Sequence, residues 1–332
     1  METNWKQWEK PLIEIDETIK KLKELTRLAK PEKREEIEQK ISEFETRRNQ
    51  YIAKVYGKLV PWEKVLIARA EPRPYTLDYI HHIFTQFIEL DGDRRFGADH
   101  AIVGGPALLN GTSCMVIGHQ KGRNIQDRQY RNFGMAKPEG YRKAIRLMDM
   151  AERFNLPVIT FADTSAADPS VESEARGISE AIASSMLKMF ELTVPVISVI
   201  IGEGGSGGAI GIAVGNKVFM LEHAVYSVIP PEGCAAILWR QPEQGPKAAQ
   251  VLRLTAQEAE RLQLIDGVIK EPFGGAHRNP AEVAESIKSV LLSELNALLK
   301  LKDQKLKQQR YDRFRALGVY KTLAADARSH LA

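Results

Sequence analysis

Apolar residues recur at helical spacing through the first fifty positions, at Leu12, Ile15, Ile19, Leu22 and Leu25, then at Ile37, Ile41 and Phe44. Pro31 interrupts the pattern, so it predicts a helical hairpin. The apolar stripe is narrow and everything around it is charged, with 12 basic and 12 acidic residues among positions 1–50. Such a stripe needs a cover, either the main domain of the same chain or another chain.

Further along, the period changes. Strand-like apolar runs end at CMVIGHQ (114–120), PVITFADT (157–164) and PVISVIIGEGG (195–205), each leading into a polar or glycine-rich loop. Pro157 and Pro195 both open a P-V-I-[ST] run, an internal echo of roughly 40 residues. Amphipathic helices are predicted between them. Pro138 suits a first helical position, with Tyr141, Ile145, Met148 and Ala151 on one face, and Ile178, Ile182, Met186 and Met189 line the next helix. Strand, loop and helix in repetition mean an α/β layered domain whose ligand loops gather at one end of the strands.

Strand-like NKVFMLE and AVYSVI come next, and Pro230-Pro231-Glu232-Gly233 is a turn able to start the helix CAAILW. Segments 255–263 and 279–310 are amphipathic and charged, and the second predicts one long terminal helix with an apolar stripe that suits an interface.

Length and charge narrow the function. A chain of 332 residues allows a large core with appendages or two domains. A net charge of +4 is too mild for a dedicated nucleic-acid binder. Two cysteines, Cys114 and Cys234, supply neither a disulfide framework nor a structural zinc site. The start lacks a signal-peptide core and no apolar run reaches the ~18 residues of a membrane span, so a soluble, cytoplasmic protein is expected.

The richest chemistry lies in IGEGGSGGAIGIAVG, 201–215. Gly202, Gly204 and Gly207 match G-x-G-x-x-G, and Glu222 stands about where a dinucleotide site keeps its ribose-binding acid. Against a nicotinamide site, two similar units precede the segment, and Gly207, Gly211 and Gly215 leave only a short, weakened helix. An alternative is an oxyanion site: amides of Gly204, Gly205, Gly207 and Gly208 converging at a helix start, with Gly207 at positive φ. Gly211 and Gly215 read better as close-packing positions. Ser206 fits G-x-S-x-G by letter, but His223 and His277 have no fitting context for a hydrolase. No cluster has metal-ligand spacing. Lys121, Arg123 and Arg131 can meet an anionic ligand, a partner or only water.

Taken together, GHQKGRN, RNFGMAKPEGYRKAIRLMDMAERFNLPVI, GEGGSGGAIGI and YSVIPPEGCAAILW resemble, in order and spacing, the carboxyltransferase α subunits of multi-subunit bacterial-type acetyl-CoA carboxylases. The likeness covers most of 1–320 and includes ELDGDRRFGADHAIVGG. It implies an α/β, crotonase-like superhelix of ββα units: a charged helical arm at 1–70, a core at 71–275 and a helical C-terminal region at 276–332. The implied reaction moves a carboxyl group from carboxybiotin, on a biotin carboxyl carrier protein, to acetyl-CoA, forming malonyl-CoA, the first committed step of fatty acid biosynthesis. The α subunit supplies the biotin side. Gly207 and Gly208 are then the amide donors, and Gly204, Gly205, Ser206, Thr164, Glu232 and Gly233 form the surrounding loops. A β subunit, in an α₂β₂ assembly, binds most of acetyl-CoA and carries the zinc ribbon, with biotin carboxylase in the larger complex. No nucleic acid or membrane is implied.

The chain departs from this pattern twice. Where the family usually reads D-T-P-G-A-Y-P-G, it has Asp163-Thr164-Ser165-Ala166-Ala167-Asp168-Pro169-Ser170, which makes one wall bulkier and acidic. Pro230 replaces a usual serine. Two alternatives therefore stay open: a divergent paralogue acting on another acyl-CoA, and a weakly catalytic subunit that binds partners.

Overall fold

The computed structural model describes residues 5–318. Two long helices, α1 (Trp5–Leu28) and α2 (Pro31–Tyr56), form the predicted hairpin, with Pro31 in the first turn of the second. Leu12 and Ile19 are buried, and Leu12 packs with Ile52, Tyr56 and Ile67. Glu9 fixes this inner end: its carboxylate is bound by Tyr56 and Arg278 and lies 3.3 Å from His277 Nε2. The outer end is open, with Leu25 and Leu28 exposed. The chain's own domain thus covers only half of the stripe.

Two short helices, α3 (Pro61–Ala68) and α4 (Thr76–Ile83), lead to an antiparallel hairpin of β1 (Ile102–Leu109) and β2 (Thr112–His119). Its turn is Asn110-Gly111, both at positive φ, as a two-residue hairpin turn requires. The chain then runs through α5 (Ile125–Tyr130), α6 (Pro138–Arg153), β3 (Val158–Thr164), α7 (Val171–Ala175), α8 (Ile178–Glu191), β4 (Val196–Gly205) and α9 (Ser206–Ile210). It finishes with β5 (Lys217–Leu221), β6 (Val225–Ser227), α10 (Pro231–Trp239), α11 (Gly245–Leu252), α12 (Ala256–Arg261), β7 (Gly267–Ile269), α13 (Pro280–Leu298) and α14 (Asp303–Arg315). After the hairpin every pairing is parallel, in the order β1-β2-β3-β4-β5-β7, with β6 continuing alongside the end of β4.

Parallel strands are buried on both faces, which explains the unbroken apolar runs of β3 and β4. One side chain cluster joins Phe161 and Val199 to Tyr79 of α4 and Ile287 of α13. The opposite cluster joins Val158 and Met115 to Tyr141 and Leu147 of α6 and Met189 of α8. The result is helix, sheet, helix layering. Ile145 is only half-buried; Ala144 and Leu147 complete the α6 face instead.

The expected single terminal helix is two. After Leu298 the chain turns, and Asp303 opens α14 with a favourable carboxylate in its first turn. The turn brings Arg310, fully buried, onto the end of α8. Its guanidinium donates to the carbonyls of Met189, Leu192 and Val194 at 2.7, 2.8 and 3.0 Å. The Met189 and Leu192 carbonyls lie where α8 runs out of its own donors. Residues 319–332 of the expected C-terminal region lie outside the described residues.

A buried ion pair ties the segment after α3 to the exit of β7. Arg73 donates to both carboxylate oxygens of Glu271, at 2.9 and 2.6 Å, and to the Ile201 carbonyl of β4 at 2.9 Å. Burial raises the Glu271 pKa, but the Arg73 charge and hydrogen bonds outweigh it and hold the carboxyl down at about 2. Its folded pKa lies below the ordinary value, so its stabilisation is present above about pH 4.3 and is lost as pH falls toward 2. Glu271→Gln should cost about 3–5 kcal/mol at pH 7, because it strands a buried guanidinium, and should flatten the acid limb between pH 4.5 and 2.5. Urea unfolding across that range measures both effects; an unchanged acid limb would refute the assignment.

Candidate functional site

The candidate loops meet where β3, β4 and β6 end. Gly205 is the last residue of β4, and Ser206 turns into α9 with φ 48°. The left-handed residue is therefore Ser206, not Gly207, whose φ is ordinary. The glycines serve another need, close approach of two backbones. A Cβ on Gly205 would stand 1.9 Å from the Ser165 carbonyl oxygen. On Gly208 it would stand 2.6 Å from the Ala166 carbonyl carbon, and on Gly202 2.4 Å from Asp163 Oδ1. Gly204 lies against Tyr226 and Ile200 side chains, whereas a Cβ on Gly207 meets only Ile182 Cδ1 at 3.4 Å. Gly211 and Gly215 are close-packing positions, against the Tyr141 ring and the Lys217 carbonyl.

Gly207 is half-buried and Gly208 buried, both in the first turn of α9, where amides have no acceptor within the helix. Tyr141, fully buried, donates from its hydroxyl to the Gly208 carbonyl at 3.1 Å, fixing the loop from below. Thr164 donates to the Ala166 carbonyl at 2.6 Å and shapes the facing loop. The two loops and the start of α10 border a narrow groove lined by Arg69, Ser165, Gly204, Gly205, Ile229 and Pro230. Both departures from the family pattern, Ser165 and Pro230, thus stand on its wall.

A chain of charges underlies the groove. Lys121 Nζ lies 2.8 Å from Asp163 Oδ1 and 3.1 Å from Glu203 Oε1. Glu203 receives Arg69 Nε at 2.6 Å, and Arg69 Nη1 reaches Glu232 Oε1 at 2.5 Å. Burial opposes the Lys121 charge, but Asp163 and Glu203 overcome it and raise its pKa. Burial likewise pushes Glu203 up, and Lys121 and Arg69 pull it below the ordinary carboxylate range. Lys121 therefore stays cationic and Glu203 anionic at neutral pH.

Of the other expected positions, Glu232 sits in the first turn of α10, held by Arg69, and Gly233 follows it facing Ile229. Arg123 is used within the chain: it pairs with Asp78, donates to the Glu71 and Arg73 carbonyls, and stacks on Tyr75 at 4.2 Å. Arg131 donates to the His100 carbonyl at 3.0 Å. Neither lines the groove; of the expected glycines, Gly204 and Gly205 do, whereas Gly207 and Gly208 stand outside its lining. Asp168 does not form a free acidic wall, because Ser170 and Ser173 hydroxyls bind its carboxylate. Burial raises its pKa and these hydroxyls pull it lower overall. Sequence reasoning missed Arg69, Glu203 and Tyr141; the only signal was a charge inside each of two apolar stretches, VLIARA and VISVIIGEGG.

A parallel sheet entered through an antiparallel hairpin, with backbone loops at its carboxyl ends, is a crotonase-like fold. Solved structures agree on the fold: transcarboxylase 12S with methylmalonyl-coenzyme A bound (TM-score 0.54, 18% identity, 78% of this chain) and a Pseudomonas malonate decarboxylase hetero-tetramer (TM-score 0.55, 15% identity, 71% of this chain and 92% of that one). The chain spans 44% of the transcarboxylase chain. A family model described as "Acetyl co-enzyme A carboxylase carboxyltransferase-like" matches residues 5–318. Acetyl-coenzyme A carboxylase carboxyl transferase subunit alpha of Bordetella pertussis is 47% identical over 98% of this chain and 100% of its own length. Its counterpart in Fusobacterium nucleatum is 48% identical over 93% of this chain and 98% of its own. The chain belongs to the acetyl-coenzyme A carboxylase carboxyltransferase family.

The glycine contacts separate two neighbouring substitutions. Gly208→Ala should lower Tm by several degrees, since only backbone movement relieves a 2.6 Å contact with backbone, whereas Gly207→Ala should leave Tm within about a degree or raise it. Differential scanning calorimetry of the two variants checks the order; the reverse order would refute the packing.

Proposed function

We propose that this chain is the α subunit of an acetyl-CoA carboxylase carboxyltransferase, moving the carboxyl group of carboxybiotin to acetyl-CoA. The observation that carries the reading is near full-length identity with relatives bearing that name. The bound carboxybiotin supplies the carboxyl group and an oxygen on which negative charge develops. Glycine backbone at Gly204 and Gly205 lines the groove, which supports this reading, and no side-chain nucleophile is needed.

In this reading the first-turn amides of Gly207 and Gly208 receive the developing charge, where the helix start also favours an anion. Preorganisation does most of the work. The Tyr141 bond to the Gly208 carbonyl and the packing of Gly205 and Gly208 on 165–167 hold the amides before substrate arrives. Gly204, Gly205 and Ser206 shape the loop, Thr164 the facing one, and Glu232 and Gly233 the third side.

A β subunit completes the site from the acyl-CoA side, in an α₂β₂ assembly served by the biotin carboxyl carrier protein and biotin carboxylase. An open apolar surface beside the groove supports this, with Val228, Ile237 and Leu238 at 77, 74 and 60% exposure. The half-covered arm at 1–70 and the helices from 276 onward are further assembly contacts. Among the described residues, no helix is long and apolar enough to cross a membrane. A second reading, preference for another acyl-CoA, is favoured by Ser165 and Pro230 on the groove wall.

The chain alone should transfer nothing, and the reconstituted complex with a β partner should convert malonyl-CoA and biocytin to acetyl-CoA and carboxybiocytin. No turnover by a verified complex would reject the catalytic reading. Higher kcat/KM with a longer malonyl-CoA homologue would select the second one.

Gly207→Pro removes one amide donor near the start of α9. It should lower kcat about 10²-fold or more with the complex intact by gel filtration, while Gly207→Ala, which keeps the donor, stays within about tenfold of wild type. Equal rates for the two variants would remove Gly207 from the donor set.

A further inference from the structure

We propose that the cavity between α6, α8 and the loop 91–99 binds a diphosphate-bearing small molecule, at a site separate from the groove and independent of the carboxyl-transfer reading. Four arginines line this cavity of about 360 Å³: Arg94, Arg95, Arg142 and Arg146. Three acids also line it, each with at least one partner, while the second carboxylate oxygen of Asp93 is buried without one. Asp149 pairs with Lys188 at 2.8 Å. Asp93 accepts the backbone amides of Arg95, Phe96 and Gly97 through Oδ1. Glu180 accepts the Ser184 hydroxyl at 2.6 Å and stands 3.7 Å from Arg142.

The guanidiniums lack comparable compensation. Arg94 and Arg95 make no side-chain hydrogen bond or ion pair among the described residues. Arg146 donates only to the carbonyls of Leu90, Asp91 and Gly92. Arg142 donates to the Arg176 carbonyl at 2.7 Å, and its buried Nε has no partner. Burial, together with the adjacent Arg94 charge, lowers the Arg146 pKa against the opposing pull of Asp91 and Asp93. The loop is held in this form: Arg94 takes φ 64°, uncommon for a long side chain, in the turn that Asp93 caps. Guanidinium forks match phosphate oxygens in pairs, and the volume exceeds what a single phosphate fills.

Titration calorimetry of the full chain at fixed ionic strength, with sodium diphosphate in one arm and ADP in the other, tests this. Saturable binding is expected in both arms; tighter binding of ADP would show that the organic substituent is seated as well. Arg94→Ala combined with Arg95→Ala should weaken binding about tenfold or more without changing the Tm of the free protein, since neither side chain makes an intramolecular bond. Lys20→Ala combined with Lys21→Ala, on the distant arm, should leave binding unchanged. No saturable heat in either arm, or equal weakening by the two double variants, would overturn the proposal.

Discussion

Main chain lies directly on main chain where the two central strands leave the sheet, and the surrounding site depends on that contact. No rotamer relieves a Cβ placed 1.9 Å from the Ser165 carbonyl oxygen or 2.6 Å from the Ala166 carbonyl carbon, so Gly205 and Gly208 must be bare. The approach also alters the sheet. The register between β3 and β4 shifts between Ala162 and Thr164, and Asp163 falls in that irregularity. Released from regular pairing, its carboxylate accepts the Glu203 amide at 2.9 Å and holds Lys121. One steric requirement therefore shapes the amide surface and also seeds the charge network beneath it.

That network connects elements far apart in the chain. Lys121 follows β2, Asp163 ends β3, Glu203 ends β4, Arg69 follows α3 and Glu232 begins α10, so each loop around the groove carries one member. Buried pairs of this kind contribute little net stability against an apolar replacement, because desolvation offsets most of the attraction. Their effect is on geometry: loss of Lys121 or Arg69 leaves carboxylates without a cation, so the loops hold one arrangement. Arg73 and Glu271 do the same one layer deeper, with the Ile201 carbonyl as the shared point on β4.

Most of the layered fold was legible because burial on both faces writes continuous apolar runs, and Pro31, Pro138 and Pro231 mark helix starts. The hairpin of β1 and β2 went unread although Asn110-Gly111 is a strong turn signal, since IVGGPALL carries glycine and proline in place of an alternating pattern. The break after Leu298 has no local marker. It follows from a distant need, the open carbonyls at the end of α8 that Arg310 satisfies. In the candidate site, glycine spacing pointed to the loop after β4, but the reason attached to its conformation was incomplete. Backbone strain falls on Ser206, and the glycines answer to residues 40 positions upstream, which no local window contains.

The departures in the facing loop take their meaning from the same contact. Ser165 and Ala166 meet the glycines through a carbonyl oxygen and a carbonyl carbon, atoms that every residue possesses. Side chains there can change while the packing persists. Asp168, the substitution that looked most disruptive, turns to the hydroxyls of Ser170 and Ser173, and Ser170 also caps α7 by accepting the Ser173 amide. These replacements form a local unit in which two hydroxyls solvate the added carboxylate and keep it ionised. What remains changed at the groove is its outline at Ser165 and Pro230, which bears on the shape of what enters, whereas the amides of Gly207 and Gly208 keep the support of Tyr141 and the loop beneath.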